Sequence, residues 1–315
     1  MSGTSTEVAD AIEWSRIAWQ GLRFSVPSDW NPLEVSGSRK RGALRLGDLH
    51  HTTMQIDWRA AGRRHRADRV WKRYLKRQLG LKPRNAVDRM TDRPALVERL
   101  HDGGWVDVTA ARLDDRGGSI HALVRGSGSR RFVLIRVPLG AEGDEAQVVS
   151  RIFTGLRESE PDRPENWSLY GFGFQVPGGS RLNHWRLRAG HLELNFQCRG
   201  LRIVWQRIAL AKRTLGDRSL AAWLEQHTAP KKRRIAWRPG PAAPRDGCVL
   251  ERPARWFGRL RPASWLTAGR AVAWHLTDAD QLVVLTIDGQ AQRMESVFAM
   301  LCESWSRDPR ATATG

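Results

Sequence analysis

Cysteine is scarce: Cys198, Cys248 and Cys302 stand far apart in 315 residues and form no CxxC pair. That excludes a disulfide framework and a cysteine zinc site, and predicts buried or idle thiols. Long apolar runs are missing too. The most apolar stretches, 132–137 and 282–287, are strand-sized, far short of the ~20 residues that span a bilayer. The opening MSGTSTEVADAIEW carries Glu7, Asp10 and Glu13 and no apolar run. No secretory signal and no transmembrane segment are expected, and the chain reads as cytoplasmic. Acids are outnumbered: 52 Lys and Arg face 33 Asp and Glu, a formal net charge of +19. A partner selected for strong positive charge is excluded. Hydrophobic residues at 41% and charged residues at 27% are ordinary globular usage, which argues against wholesale disorder.

The signatures of catalysis are also absent. The nine histidines, His50, His51, His65, His101, His121, His184, His191, His227 and His275, form no HExxH, HxH or Cys/His cluster. The adjacent His50 and His51 read as solvated loop residues rather than a metal pair. Neither GxxxxGK[ST] nor GxSxG occurs, which removes the simplest phosphate-loop and serine-hydrolase readings. RGSGSRR at 125–131 joins two strand-like runs and reads as a hairpin turn. Asp114-Asp115 and Asp278-x-Asp280 also lie between strand-like runs, where aspartate caps turns. No catalytic, cofactor-binding or metal-ligating residue is assigned, and no enzyme, metal or cofactor is expected.

What is present is repetition. Gly21, Phe24, Val26 and Pro27 of GLRFSVP recur as Gly171, Phe174, Val176 and Pro177 of GFGFQVP, 150 positions later. GALRL at 42–46 meets GHLEL at 190–194, at offset 148. MQIDWR at 54–59 meets LRIVWQ at 201–206, setting Trp58 on Trp205 at offset 147. Trp71 meets Trp223 at 152, RFVLIRV meets QLVVLTI at 150, and FTGLRES meets FAMLCES at 145. Six matches in one order argue for duplication, and SEPDRPEN at 159–166 reads as the linker. The expected domains are residues 1–160 and 161–315. Charge is shared: 28 bases and 20 acids give +8 in the first, and 24 and 13 give +11 in the second.

Within one copy, Leu22, Phe24 and Val26 alternate with polar residues, the mark of a strand with one buried face. Strands over ALRLGD and TMQIDWR follow. Val70, Trp71, Tyr74, Leu75 and Leu79 then recur at helical spacing over 67–79. Strands are expected around 95–100, 105–113, 119–125 and 131–137. A helix over 145–158 closes the unit with Val148, Val149, Ile152, Phe153 and Leu156 as its stripe. Both Pro/Gly-bearing stretches, 82–94 and 238–247, read as long loops. The fold class is α+β: two tandem domains, each a mainly antiparallel sheet of about six to seven strands packed against helices.

The opening pattern Gly21, Phe24, Val26, Pro27 and Trp30, followed by paired strands, a helix, a meander and a final helix, resembles the PsbP-like fold. That superfamily includes photosystem oxygen-evolving proteins, Mog-type Ran-binding proteins, and small bacterial lipoproteins and adaptor chaperones. In the second copy Gly171, Phe174, Val176 and Pro177 remain, while Ser180 replaces the tryptophan. The resemblance implies a non-catalytic binding scaffold. It transfers no functional residues, because that fold has no shared active site.

Two compositional features point toward partners. Fifteen tryptophans exceed eight phenylalanines and two tyrosines. Trp58, Trp71, Trp205 and Trp223 fall on apolar phases and are expected in the core. Trp185, Trp237 and Trp256 fall among arginines, as internal cation–π pairs or as stacking platforms. Residues 59–77 hold nine bases and one acid. Arg63, Arg64, Arg66, Arg69, Lys72, Arg73, Lys76 and Arg77 are the candidate partner-binding surface on an outward helix face. The second copy carries Lys231, Lys232, Arg233 and Arg234 as further candidates, after its helix rather than along it. The leading reading is a non-catalytic adaptor engaging an acidic protein. A sequence-nonspecific nucleic-acid binder is the alternative, an anionic membrane surface a weaker variant, and an enzyme with a scattered site the third.

Overall fold

The computed structural model describes residues 12–48, 51–62, 65–78, 90–113, 118–139, 145–160, 162–228, 237–241, 244–255 and 267–306. Among them the chain is α+β and mostly antiparallel sheet. It forms two compact units. One comprises Met1–Pro161, Asn166–Gly173 and Ser306–Gly315; the other comprises Asp162–Glu165 and Phe174–Trp305. The units thus do not follow a single cut near residue 160: the strand-turn segment 166–173 belongs with the first.

The first unit opens with strands β1 (Trp14–Trp19), β2 (Leu22–Pro27), β3 (Asn31–Ser38), β4 (Arg41–Gly47) and β5 (Thr52–Ala60). Helix α1 (Ala67–Gln78), strand β6 (Met90–Asp92), helix α2 (Pro94–Asp102) and strands β7 (Trp105–Leu113), β8 (Ser119–Gly126) and β9 (Arg131–Pro138) follow. Helix α3 (Glu145–Gly155) and strand β10 (Arg157–Glu158) come next. Seven strands make one antiparallel sheet in the order β3-β4-β5-β9-β8-β7-β6. Period two shapes its centre. On β5, Met54, Ile56 and Trp58 are buried on one face while Asp57 and Arg59 point to the other. Helix α1 covers part of that second face, burying Val70, Trp71 and Leu75 against Ala111, Leu113, Leu123 and Phe132.

Strand β3 is not expected from the sequence, β6 lies in the 82–94 stretch that reads as a loop, and three further elements differ from the sequence reading. The strand expected around 95–100 is helix α2. Pro94 starts it where a missing N–H costs nothing, and Leu96 and Leu100, four apart, are both buried. A short apolar run does not separate helix from strand by periodicity alone. The helix expected to reach 158 stops at Gly155, and Arg157–Glu158 pairs with β2 instead. The opening strand has a partner in front of it: β1 pairs with β2 along its whole length. Gln20 and Gly21, at φ 51° and 77°, make the two-residue turn between them, the geometry that a twisted hairpin favours.

A buried ion pair ties this hairpin to β9 and β10. Arg131, with a side chain 2% exposed, donates from Nε to Glu158 Oε1 at 2.7 Å and from Nη1 to the Gln20 carbonyl at 2.7 Å. Ser129 Oγ donates to the same carboxylate at 2.5 Å. A Cβ on Gly126 would stand 2.1 Å from Glu158 Oε2, so only glycine leaves room for the pair.

The second unit holds strands β13 (Arg181–Arg188), β14 (His191–Cys198) and β15 (Leu201–Ala209), numbered after β11 (Glu165–Leu169) and β12 (Phe172–Val176). Helices α4 (Ala211–Leu215) and α5 (Leu220–Thr228) follow, then strands β16 (Arg238–Pro239), β17 (Cys248–Arg255), β18 (Thr267–Leu276) and β19 (Gln281–Gln290), and helix α6 (Ala291–Ser304). The sheet order is β13-β14-β15-β19-β18-β17-β16, strand for strand the order of the first sheet. Helix α5 buries Trp223 and Leu224 against Leu250, Ala271, Ala273, Leu282 and Val284, the counterpart of the packing under α1. Most of the sequence matches fall on corresponding strands and helices, but FTGLRES runs from α3 into β10 where FAMLCES stays within α6, and Gly171–Gly173 of GFGFQVP belong to the first unit. Trp58, Trp71, Trp205 and Trp223 are all buried, at 2%, 8%, 0% and 5% exposure.

The ladders correct two matches, MQIDWR with LRIVWQ and, because Leu44 lies opposite Ile56 and Leu194 opposite Trp205, GALRL with GHLEL. Ile56 lies opposite Ile135, and Trp205 lies opposite Leu285. Ile135 and Leu285 are the residues aligned at offset 150, so the counterpart of Trp205 is Ile56 rather than Trp58. Both matches are two residues out of register. Because side chains alternate with period two, a slip of two leaves every residue on its own face, and both tryptophans stay in a core.

Candidate functional site

Six of the sequence-predicted cations are described and exposed: Arg66 just before α1, and Arg69, Lys72, Arg73, Lys76 and Arg77 along it. Arg63, Arg64, Lys231, Lys232, Arg233 and Arg234 lie outside the described residues. The six described cations do not form one face. Arg66, just before α1, lies 3.6 Å from Asp68 in its first turn. Arg73 and Arg77, one turn apart, line a cleft beside the sheet; Arg69, Lys72 and Lys76 are exposed and do not line it.

That cleft has a volume of about 520 Å³ and is walled by α1 on one side and by β4, β5 and β9 on the other. Arg41 and Arg59, which the sequence reading did not assign, complete it. They are direct ladder partners, and like charges directly opposite each other destabilise a sheet. Among the described residues none of Arg41, Arg59, Arg73 and Arg77 has a carboxylate within ion-pair distance. Burial pushes the Arg59 guanidinium below its ordinary pKa, and Arg73, Arg41 and Arg77 push it further the same way. Four cations therefore converge from three elements. Asp57 lines the same cleft. Its carboxyl is raised by desolvation, which the attraction of Arg45 offsets in part and Glu34 reinforces.

Below the arginines the wall is apolar, with Val70, Leu123, Phe132 and Leu134. Tyr74 closes it. Its hydroxyl lies 2.7 Å from His121 Nδ1, and Ser119 Oγ lies 2.7 Å from His121 Nε2. Ser119 and His121 are both 0% exposed. A serine so enclosed has no access to a substrate, and the chain Tyr74–His121–Ser119 holds the helix to β8.

The same place in the second unit carries different chemistry. Asp57 faces Ala43 across the first ladder, and Gln206 faces Glu193 across the second. Gln206 Nε2 donates to Glu193 Oε2 at 2.9 Å, and Gln206 Oε1 lies 2.7 Å from His227 Nε2. His227 in turn stacks on Trp223, with ring centroids 4.6 Å apart. Where the first unit leaves cations open, the second joins a carboxylate, an amide and an imidazole.

This chain carries a pH dependence. Burial lowers the pKa of His227, and the neighbouring His191 lowers it further while Glu193 raises it; burial also lowers His191. A histidine depressed on folding favours the native state above its unfolded pKa of ~6.5 and loses that contribution as pH falls through the folded value. The urea midpoint of the chain should fall between pH 7 and pH 5. His227→Gln should flatten that slope, and an unchanged slope would remove the imidazole from the account.

The remaining candidates are structural. His51 is exposed and lies 4.0 Å from Asp48. His50, Asp114 and Asp115 lie outside the described residues. Asp280 takes φ 51° and its Oδ1 accepts the Lys212 N–H at 2.8 Å, a turn role. Cys198 and Cys302 are buried, and burial pushes the Cys302 thiol up to about 12. Among the described residues no three His, Cys, Asp or Glu side chains converge as a metal site, and no helix is long and apolar enough to cross a membrane. Arginine and tryptophan do meet internally. Arg252 lies over Trp237, Arg245 over Trp305 and Arg151 over Trp14. Trp256 lies outside the described residues, and no described tryptophan is exposed. No protein-family model matches the chain, and no curated protein is similar to it.

Proposed function

We propose that the chain is a non-catalytic binding or adaptor protein, built as a tandem duplication of a PsbP-like α+β domain over 1–160 and 161–315. In this reading it acts in the cytoplasm, and the first copy engages an acidic protein partner through α1 and the cleft beside it. One observation carries the reading: Arg41, Arg59, Arg73 and Arg77 converge without a carboxylate partner among the described residues. Grouped like charges repel, and an anion among them relieves the repulsion. The identical strand order of the two sheets supports the duplication.

A single-strand nucleic-acid binder needs exposed aromatic platforms. The indoles of the described residues are buried or half-buried, so the acidic-protein reading stands ahead of that alternative. The test is a titration of the full chain with an oligoglutamate peptide at low salt. Replacing Arg69, Arg73 and Arg77 together by Glu is expected to abolish binding and leave the circular dichroism spectrum unchanged. Binding that survives this triple reversal returns α1 to a solvated face. A steep fall with salt for an oligonucleotide, and none of the same for the peptide, would favour nucleic acid.

A further inference from the structure

Deepening that reading, and resting on it, we infer that the anion the first-unit cleft accommodates is a phosphomonoester on an apolar stem, rather than a carboxylate. The charge count points there. Arg41, Arg59, Arg73 and Arg77 against Asp57 leave three positive charges unmatched if that carboxyl is ionised, and four if it is not. A carboxylate brings one charge and two oxygens. A phosphomonoester brings a charge of about −1.5 to −2 at neutral pH and three acceptor oxygens. Guanidinium forks match such oxygens in pairs.

The arrangement of donors agrees. Arg41 and Arg59 approach from adjacent strands at one ladder position, and Arg73 and Arg77 approach from successive turns of α1. Four forks thus surround a space that is closed on one side by Phe132 and Leu134. That apolar wall is the seat of the stem. The volume of about 520 Å³ falls in the range of small-ligand sites, roughly 300–1,000 Å³. It admits a side-chain-sized ester and excludes a folded surface from its depth. Asp57, at the same opening, adds an acceptor that disfavours a second anionic group beside the first.

Two sources present this chemistry: a free phosphate ester, or a phosphorylated side chain on the acidic partner. Titration calorimetry of the full chain with phenyl phosphate, benzoate and a phosphotyrosyl peptide separates them. Phenyl phosphate is expected to bind at least tenfold more tightly than benzoate. Arg59→Gln and Arg41→Gln should each weaken phenyl phosphate at least tenfold, while Arg213→Gln, exposed in the second unit, changes nothing. A phosphotyrosyl peptide binding more tightly than phenyl phosphate assigns the ester to a partner chain; equal affinity assigns it to a free ligand. Benzoate binding as well as phenyl phosphate, or phenyl phosphate indifferent to Arg59→Gln, overturns the inference. If oligoglutamate binding still depends on Arg69, Arg73 and Arg77 in that event, the acidic-partner reading survives and the phosphate inference alone falls.

Discussion

Replacing Arg131 by Met is expected to destabilise the chain by about 3–5 kcal/mol, because it leaves the Glu158 carboxylate enclosed and uncompensated. Arg131 is 2% exposed and Glu158 13%, so water reaches neither side of the pair freely. The loss has two parts. The carboxylate forfeits its cation, and the Gln20 carbonyl forfeits the Nη1–H that satisfies it at 2.7 Å. Replacing both partners by Met removes the stranded charge and should recover most of the lost stability, since a buried pair is often no better than an apolar substitute. Guanidinium denaturation followed by tryptophan fluorescence measures both variants. A single variant within 1 kcal/mol of the parent would show that water or another cation compensates Glu158.

Trp58→Ala should cost about as much, ~3–5 kcal/mol, through the cavity left in the core. The indole is 2% exposed and its Nε1–H donates to the Ser38 carbonyl at 2.7 Å. A Cβ on Gly42 would meet the ring carbon Cζ2 at 2.3 Å, so Gly42→Ala should be destabilising by the same contact. Trp205→Ala tests the counterpart core. Its ring stacks on Phe174 at 4.9 Å and on Trp274 at 6.3 Å. A change below 1 kcal/mol at Trp58 would mean that the neighbouring strands close over the gap. Thermal or denaturant unfolding of the two variants side by side decides it.

Much of the fold was legible because it is written in period two. Leu22, Phe24 and Val26, and Met54, Ile56 and Trp58, alternate cleanly and are buried on one face each. The helix α1 was legible in the same way, from Val70, Trp71 and Leu75. Register was not. The matched segments named most of the right elements, yet the Trp58 with Trp205 and GALRL with GHLEL matches were each two residues out. A hydrophobic pattern of period two is indifferent to a slip of two. Helix α2 escaped because five residues around Leu96 and Leu100 satisfy either period.

The site was half legible for the same reason. Arg73 and Arg77 stand out as bases on the polar side of an amphipathic helix. Arg41 and Arg59 are unremarkable in a chain with 52 bases until the ladder sets them opposite each other. A long-range pairing brings them together, and composition carries no trace of it. The closed Glu193–Gln206–His227 chain in the second unit was invisible likewise, since its members come from two strands and a helix.

The central claim is that binding belongs to the first copy and its cleft, not to the net charge of +19 spread over the whole chain. Two charge-matched variants separate these. One reverses Arg69, Arg73 and Arg77 to Glu on α1. The other reverses Arg186, Arg188 and Arg199, all exposed in the second unit, to Glu. Both change the formal charge by the same amount. Titration of each with the same oligoglutamate peptide at one salt concentration should show binding lost in the first variant and retained in the second. Equal weakening of the two would contradict the account and reduce the basic helix to its share of the total charge.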